Sequence, residues 1–359
     1  MNITIVGGGN IGTQFAVHCA EKGHAVTVYT SAPEIFEHHL TIVDENSMVT
    51  HEGDITCATD NPEIAFSDAD AVLVTFPSSM MKQAADAISA HCKKNALIGV
   101  VPGNGGSECA FRRCIESGHT FFCIERVPAI ARLVKKGSCV RSVGYRAELH
   151  TASLPAAEAE HCAAFVSSIF DMPCKAIPNM LNMTLTPSNP IFHTARLMRV
   201  FRDYKEGVVY PELPLIYEGW DDASSELLLR CDDEVQKICR SLYMFDLSFV
   251  KSLREHYESE TPHQLTEKIR SIKAFKGLKI PAVAVSDGLI PDLHSRYFTA
   301  DFSYGLSVIV QIAHFAGTDV PELERVLNWY NGIRIETDEF RYEDYGIRNT
   351  EDFLKFYSL

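Results

Sequence analysis

The chain begins with a glycine cluster between a strand-like and a helix-like segment. Residues 2–6 (NITIV) form a short β-branched run, residues 7–12 read GGGNIG, and residues 13–22 have the apolar spacing of a helix. A second apolar run at 25–29 (AVTVY) completes a βαβ unit of about 30 residues. Because a βαβ unit joins parallel strands, this segment constrains the fold more than any other in the sequence.

Each glycine of the cluster has a distinct task in this setting. Gly7 makes the tight turn, Gly9 lets a pyrophosphate approach the backbone, and Gly12 lets the helix pack closely on the strand. The pyrophosphate would meet backbone N–H groups at the helix N-terminus, with Asn10 and Ile11 in the same cradle. The pattern predicts an α/β Rossmann domain, with a doubly wound and mostly parallel sheet, that binds a dinucleotide.

The end of the second predicted strand bears on the choice between NAD and NADP. NAD enzymes commonly place an acidic residue there, whereas this chain has Thr30 and Ser31. Hydroxyls can donate to a 2′-phosphate, although no Lys or Arg follows in the loop and Glu34 lies nearby. The sequence leaves both cofactors open, with a slight preference for NADP.

Two further buried strands end in loops that should lie beside the nicotinamide. Residues 71–76 (AVLVTF) lead into Pro77, and residues 96–101 (ALIGVV) lead into a PGNGG loop that contains Asn104. Cofactor and substrate meet at the carboxyl edge of an open parallel sheet. We therefore expect Phe76, Pro77 and Asn104 to contact the cofactor.

The second half of the chain changes in character. Helix-like patterns cover residues 195–202, 224–244, 247–256, 263–273 and 302–316. The sequence predicts a nucleotide-binding domain at 1–178 and an all-α substrate domain at 179–359. The strongly apolar pattern at 302–316 fits either a buried domain centre or a homodimer contact.

Composition limits the kinds of partner. A net charge of −14 argues against nucleic acid and anionic membranes, so small molecules are the expected partners. The chain shows no secretory leader after Met1, and its eleven cysteines include no CxxC pair, which predicts a reducing, cytoplasmic location. No HExxH or regular Cys/His spacing occurs, and the adjacent His38 and His39 would point in different directions. We expect no metal site.

Two stretches of the second half carry candidate catalytic groups. A nicotinamide cofactor carries the hydride, so the protein must orient the acceptor and manage one proton. Asn189 and Pro190 read as a helix start that places His193 one turn in, and Asp301 precedes an apolar helix. On the residues alone, a core histidine and a helix N-cap remain the simpler interpretations, with Arg296 as a solvated or ion-paired neighbour of the cap.

The order and spacing of several segments resemble the octopine/nopaline (opine) dehydrogenase family over nearly the whole length. The segments are GGGNIG, PGNGG at 102–106, ERVPAIAR at 125–132, ASLP at 152–155, SNPIFH at 188–193 and RYFTADFSYGL at 296–306. The resemblance implies a Rossmann domain joined to a helical domain. It also implies an NAD(P)H-dependent reduction of the imine formed from a 2-oxo acid and an amino acid.

The same resemblance implies roles for individual residues. His193 and Asp301 match the family's proton-handling dyad. Arg296 matches the arginine that engages cofactor phosphate or a substrate carboxylate, and Asn189 matches the polar residue one turn before the histidine. The chain departs from the family at Ala300, where an acid commonly precedes the aspartate, and at the end of the second strand.

Two other functions stay open at this point. A ketopantoate reductase also joins a Rossmann domain to a helical domain, but it relies on a lysine near the start of the helical domain. Residues 179–186 (NMLNMTLT) contain no lysine, and Lys175 lies too early. The third alternative is a catalytically silent nucleotide-binding protein.

Overall fold

A computed structural model describes residues 1–103, 105–186 and 189–359. They divide into two compact units, one of Met1–Thr184 with Leu354–Leu359 and the other of Leu185–Phe353. The sequence-based domain boundary after residue 178 stays a prediction. Across the described ranges, no helix is both long enough and apolar enough to pass through a membrane.

Most strands of the first unit belong to one large sheet. The strands are β1 (Asn2–Val6), β2 (Ala25–Tyr29), β3 (His39–Val43), β4 (Val49–Asp54), β5 (Cys57–Thr59), β6 (Ala71–Val74), β7 (Leu97–Val100), β8 (Thr120–Ile124), β9 (Ile130–Lys135), β10 (Cys139–Val143), β11 (Leu149–Leu154) and β12 (Cys174–Ala176). Eight of them form the sheet in the order β5-β2-β1-β6-β7-β8-β11-β12. The first six of this order are parallel, and β11 runs antiparallel to β8. This is the doubly wound order, so the predicted Rossmann fold class is confirmed.

A second sheet, which the sequence analysis did not anticipate, covers the first helix. Its order is β4-β3-β10-β9. The helices and 3-10 turns of this unit are α1 (Asn10–Glu21), α2 (Pro62–Phe66), α3 (Met81–His91), α4 (Ser107–Ala110), α5 (Arg112–Glu116), α6 (Ala159–Phe170), α7 (Leu181–Leu185), and Pro33–Ile35, Ser78–Met80 and Ala156–Glu158. Helix α1 packs against strands of both sheets, so residues 12–19 are all buried. The glycine cluster at its start is therefore held on a rigid element.

The second unit is helical, as predicted, and also contains a β-hairpin that the sequence pattern did not indicate. Its helices are α8 (Asn189–Val200), α9 (Asp222–Ser241), α10 (Leu253–Tyr257), α11 (Pro262–Ser271), α12 (Arg296–Thr299), α13 (Ser307–Phe315), α14 (Pro321–Asn331) and α15 (Thr350–Tyr357), with 3-10 turns at Lys273–Phe275 and Tyr342–Tyr345. The hairpin consists of β13 (Ala282–Val285) and β14 (Gly288–Pro291). A π-helical turn at Phe302–Leu306 leads into α13, whose residues are mostly buried inside this unit.

Helix α15 crosses the boundary between the units, because residues 354–359 belong to the first unit, where they close over a buried carboxyl group. The backbone carbonyls of Tyr357 and Leu359 accept hydrogen bonds from Asn179 Nδ2 and the Ala156 N–H, at 2.9 and 2.8 Å. The Tyr357 hydroxyl donates to Glu108, which is 1% exposed. Burial raises the pKa of Glu108 from its ordinary value of 4.5 to about 7.

This buried carboxyl group gives the protein a predictable pH dependence. Because the pKa of Glu108 is higher in the folded chain, the folded protein holds an extra proton between pH 4.5 and about 7. The contribution of Glu108 to stability should be full below this window and fall by about 3 kcal/mol as pH rises through it. Glu108→Gln should remove this contribution, so wild type and variant should differ in how their free energy of unfolding in urea changes between the two ends of the window.

The change in the free energy of unfolding with pH, rather than its absolute value, tests this prediction. The glutamine amide gives up hydrogen bonds that the carboxyl group accepts from the backbone N–H groups of Gly106 and Glu108. A constant loss of stability in the variant is thus expected. Equal slopes for the wild type and Glu108→Gln would contradict the assignment.

Candidate active site

The glycine cluster of the first unit has the backbone geometry that its sequence predicts. Gly7 has a φ of +108°, which side chains rarely adopt, and its N–H donates to the carbonyl of Tyr29 at 2.9 Å. A Cβ atom at Gly7 would lie 2.7 Å from Thr75 Oγ1. A Cβ atom at Gly12 would lie 1.7 Å from the carbonyl oxygen of Gly7. Glycine is therefore required at both positions by the protein itself.

Gly9 differs from Gly7 and Gly12. It is the N-cap of α1 with a φ of −86°, and a Cβ atom there would meet no described atom within 4 Å. It has no capping side chain, so the first N–H groups of α1 remain available to an anion. The open space over Gly9 and these N–H groups fit the pyrophosphate of a dinucleotide.

The other predicted cofactor residues differ in what the structure shows of them. Asn10 Oδ1 accepts a hydrogen bond from the Leu133 N–H at 2.7 Å, so this side chain ties α1 to β9. Ile11 packs against the core of the unit, and the ring of Phe76 comes within 3.1 Å of a Cβ atom at Gly7. The remaining predicted residues are Thr30 and Ser31, which directly follow β2, the exposed Pro77, and Asn104, which lies outside the described residues.

In the second unit, the predicted proton-handling pair is assembled. His193 on α8 is 4% exposed, and its Nδ1 lies 2.7 Å from Asp301 Oδ2. Asp301 comes just before the π-helical turn rather than capping a helix through its side chain. The two residues are 108 positions apart, so only the fold brings them together.

A tyrosine that the sequence analysis missed completes this arrangement. The Tyr217 hydroxyl lies 2.7 Å from His193 Nε2, and the Tyr217 ring stacks on Phe275 with centroids 4.1 Å apart. Burial raises the pKa of Tyr217, as do the neighbouring hydroxyls and Asp301, so the hydroxyl keeps its proton. If Nδ1–H donates to the carboxylate, Nε2 accepts from Tyr217, and all three groups are satisfied.

Two packing features hold these groups in place. A Cβ atom at Gly305 would lie 2.7 Å from Cγ of Pro190, so glycine lets the π-helical turn approach the start of α8. The buried Arg196, one turn after His193, donates to the carbonyls of Ile216 and Gly219. Arg196 thereby fixes the segment that carries Tyr217.

The two predicted substrate-binding residues lie on the exposed side of these elements. Arg296 is the first residue of α12 and is exposed, and its charge acts to lower the pKa of Tyr217 and Tyr297. Asn189 is exposed at the first position of α8, one turn before His193. The ring of Tyr297 lies beside that of His193, with centroids 4.6 Å apart.

The geometry of the second unit therefore suits general acid–base catalysis by a histidine. An imidazole whose Nδ1 is held by a carboxylate can accept a proton at Nε2 and return it, because the carboxylate orients the ring and fixes its tautomer. An exposed arginine nearby offers a permanently charged, bidentate group to a carboxylate or phosphate.

Comparison with known proteins supports these assignments of fold. A family model described as the alpha-helical domain of NAD/NADP octopine/nopaline dehydrogenase matches residues 176–334. A model of the N-terminus of NAD-dependent glycerol-3-phosphate dehydrogenase matches residues 2–104. The octopine dehydrogenase of Pecten maximus is 27% identical, over 92% of this chain and 89% of its own.

Two solved structures extend the comparison. An octopine dehydrogenase with NADH and L-arginine has a TM-score of 0.86 at 24% identity, covering 99% of this chain and 98% of the other. A ketopantoate reductase from Ralstonia eutropha has a TM-score of 0.59 at 16% identity, covering 92% and 97%. At these identities both matches establish the fold alone. The resemblance inferred from the sequence motifs is confirmed.

Proposed function

We propose that this protein is an opine-type reductase, because its residues 176–334 match the model of the octopine/nopaline dehydrogenase helical domain. The protein is an NAD(P)-dependent oxidoreductase that reduces the imine formed from a 2-oxo acid and the amino group of an amino acid. The observation that carries the proposal is the buried His193–Asp301 hydrogen bond of 2.7 Å. A catalytically silent nucleotide-binding protein has no need of this pair.

The side chains of the second unit manage the proton in this reaction. When bound, NAD(P)H supplies the hydride, and Gly9 with the N–H groups of α1 would hold its pyrophosphate. His193 Nε2 takes a proton from the amine and returns it later, while Asp301 fixes the orientation of the ring and its tautomer. Tyr217 holds Nε2 in the free protein, so substrate must displace its hydroxyl or exchange the proton through it.

Arg296 and Asn189 are the proposed substrate-binding residues. A secondary amine product that carries two carboxylates needs a fixed positive charge, and Arg296 provides one close to Tyr217 and Tyr297. Asn189 adds a neutral hydrogen-bonding group one helical turn from His193. The family commonly has an acidic residue at the position of Ala300, so this site has one negative charge fewer.

A preference for NADPH is the finer part of the proposal. The loop after β2 has the hydroxyls of Thr30 and Ser31 but no basic residue before Glu37. The Glu37 N–H donates to the Gly137 carbonyl at 2.9 Å, which brings the turn between β9 and β10 against that loop. Lys135 at the end of β9 and Lys136 in this turn would supply the positive charge that a 2′-phosphate requires, although Lys135 also pairs with Glu37.

Cytoplasmic location and a homodimer complete the proposal. All eleven cysteines are free thiols, which fits a reducing compartment. Because α13 is buried within its own unit, a dimer would have to use another surface. Sedimentation equilibrium would measure the oligomeric state directly.

The proposed function is tested by following the oxidation of NADH and NADPH by absorbance. Pyruvate, 2-oxoglutarate, oxaloacetate and ketopantoate are each supplied with and without a mixture of amino acids. We expect turnover only when an oxo acid and an amino acid are both present, and faster turnover with NADPH. Turnover on ketopantoate without an amine would assign the protein to the ketopantoate reductases. Cofactor binding without turnover on any pair would favour a silent nucleotide-binding protein.

A further inference from the structure

Three potential metal ligands meet at the end of α1, far along the helix from the glycine cradle. His18 and Glu21 are three residues apart near the end of this helix, so their side chains share one face. His51 comes from β4, a strand of the small sheet that packs on α1. His51 Nδ1 lies 2.8 Å from Glu21 Oε2, and the His18 and His51 rings are 4.6 Å apart.

One ligand atom from each of these residues lies within 4.8 Å of the other two. Two imidazole nitrogens and one carboxylate oxygen are the donor set of many zinc sites with three protein ligands. In a tetrahedral site at about 2 Å per bond, the donor atoms would be a little more than 3 Å apart. Small side-chain rotations would bring the three atoms together, because His51 and Glu21 are both partly exposed, at 31% and 34% of their side-chain surface.

A metal ion could reach the three ligands through a neighbouring cavity, and the positive charge of the nearby Lys22 is balanced. A cavity of about 380 Å³ is lined by His51 and Tyr145 together with Asp44 and Glu45. The Tyr145 hydroxyl also lies 3.2 Å from His18 Nε2. Lys22 is the basic residue nearest in sequence, and its charge is balanced by an ion pair with Asp171.

We propose that His18, Glu21 and His51 bind a divalent transition-metal ion, with Zn²⁺ as the favoured species and a water on the cavity side as its fourth ligand. The ion would link α1 to β4 and so stabilise the unit that carries the glycine cradle. The site lies within the first unit, and its test does not depend on reductase activity. The sequence did not reveal it because His51 lies 30 residues from Glu21, without any standard ligand spacing.

The proposal is tested by titrating ZnCl₂ into the full, tag-free, chelator-treated chain in a calorimeter. We expect one ion per chain and a melting temperature that rises with Zn²⁺. His51→Gln should weaken binding by roughly tenfold or more and abolish the rise in melting temperature. The matched control is His161→Gln, which removes an exposed histidine paired with a single carboxylate, Glu158, at 3.3 Å. The control should bind as the wild type does.

Co²⁺ in place of Zn²⁺ distinguishes the proposed ligands from the free thiols. The nitrogen and oxygen ligands give visible d–d absorption without the near-ultraviolet thiolate band, and Glu21→Gln should change this spectrum. Equal Zn²⁺ affinity in wild type and His51→Gln, a thiolate band with Co²⁺, or no binding by the wild type would each overturn the proposal.

Discussion

Replacement of His193 by alanine should lower kcat by about two to four orders of magnitude while the affinity for NAD(P)H stays unchanged. The reason is that His193 Nε2 is the group proposed to move the proton, and its Nδ1 is held by Asp301 at 2.7 Å. His193 lies in the second unit, whereas the glycine cradle belongs to the first. Steady-state kinetics and quenching of nicotinamide fluorescence measure the two quantities separately.

Two further variants distinguish a loss of catalysis from a loss of folding. His193→Gln can retain a hydrogen bond to Asp301 but cannot take up and return a proton, so its kcat should fall as in the alanine variant. Tyr217→Phe removes only the hydroxyl at 2.7 Å from Nε2 and keeps the ring stacked on Phe275. Its loss of kcat should be smaller than that of either His193 variant. Wild-type turnover in folded His193→Gln would remove the pair from the mechanism.

Alanine at Gly12 and alanine at Gly9 should affect different properties, although the residues are only three positions apart at the start of α1. At Gly12 the added Cβ would lie 1.7 Å from the Gly7 carbonyl oxygen, so the backbone must move. We expect at least about 3 kcal/mol loss in the free energy of unfolding, at the upper end of overpacking effects. Urea denaturation followed by circular dichroism measures this loss.

At Gly9 the same substitution meets open space and an allowed φ of −86°. Gly9→Ala should therefore fold with wild-type stability. It should nevertheless bind NAD(P)H at least about tenfold more weakly, or about 1.4 kcal/mol, because the methyl group occupies the space that the pyrophosphate needs. Wild-type cofactor affinity in Gly9→Ala would show that the pyrophosphate does not approach this backbone. Wild-type stability in Gly12→Ala would contradict the close contact with Gly7.

The sequence predicted those parts of the fold that depend on local patterns. The turn at Gly7 and the close packing at Gly12 follow from the spacing of one short segment, and the structure shows a positive φ at Gly7 and a close approach at Gly12. The small sheet was missed because β4 (VTHEGD) is largely exposed and lacks the apolar run typical of a strand. The hairpin of β13 and β14 was missed although AVAV and GLIP are apolar, because helical patterns surround them.

The candidate active site was predictable to a smaller extent. Periodicity alone favoured a core histidine at His193, and only the family resemblance linked it to Asp301, 108 residues away. Neither kind of reasoning identified Tyr217. Its contact with His193 depends on a loop held by the buried guanidinium of Arg196, and such long-range hydrogen bonds leave no periodic signal in a sequence.

The return of residues 354–359 to the first unit has a consequence for how the chain is made. During synthesis, a ribosome releases residues 1–184 long before residues 354–359, with the whole of 185–353 in between. Until then Glu108 lacks the Tyr357 hydroxyl, and the Ala156 N–H lacks the carbonyl of Leu359. The nucleotide-binding unit therefore starts folding first but can be completed only after the helical unit has been translated.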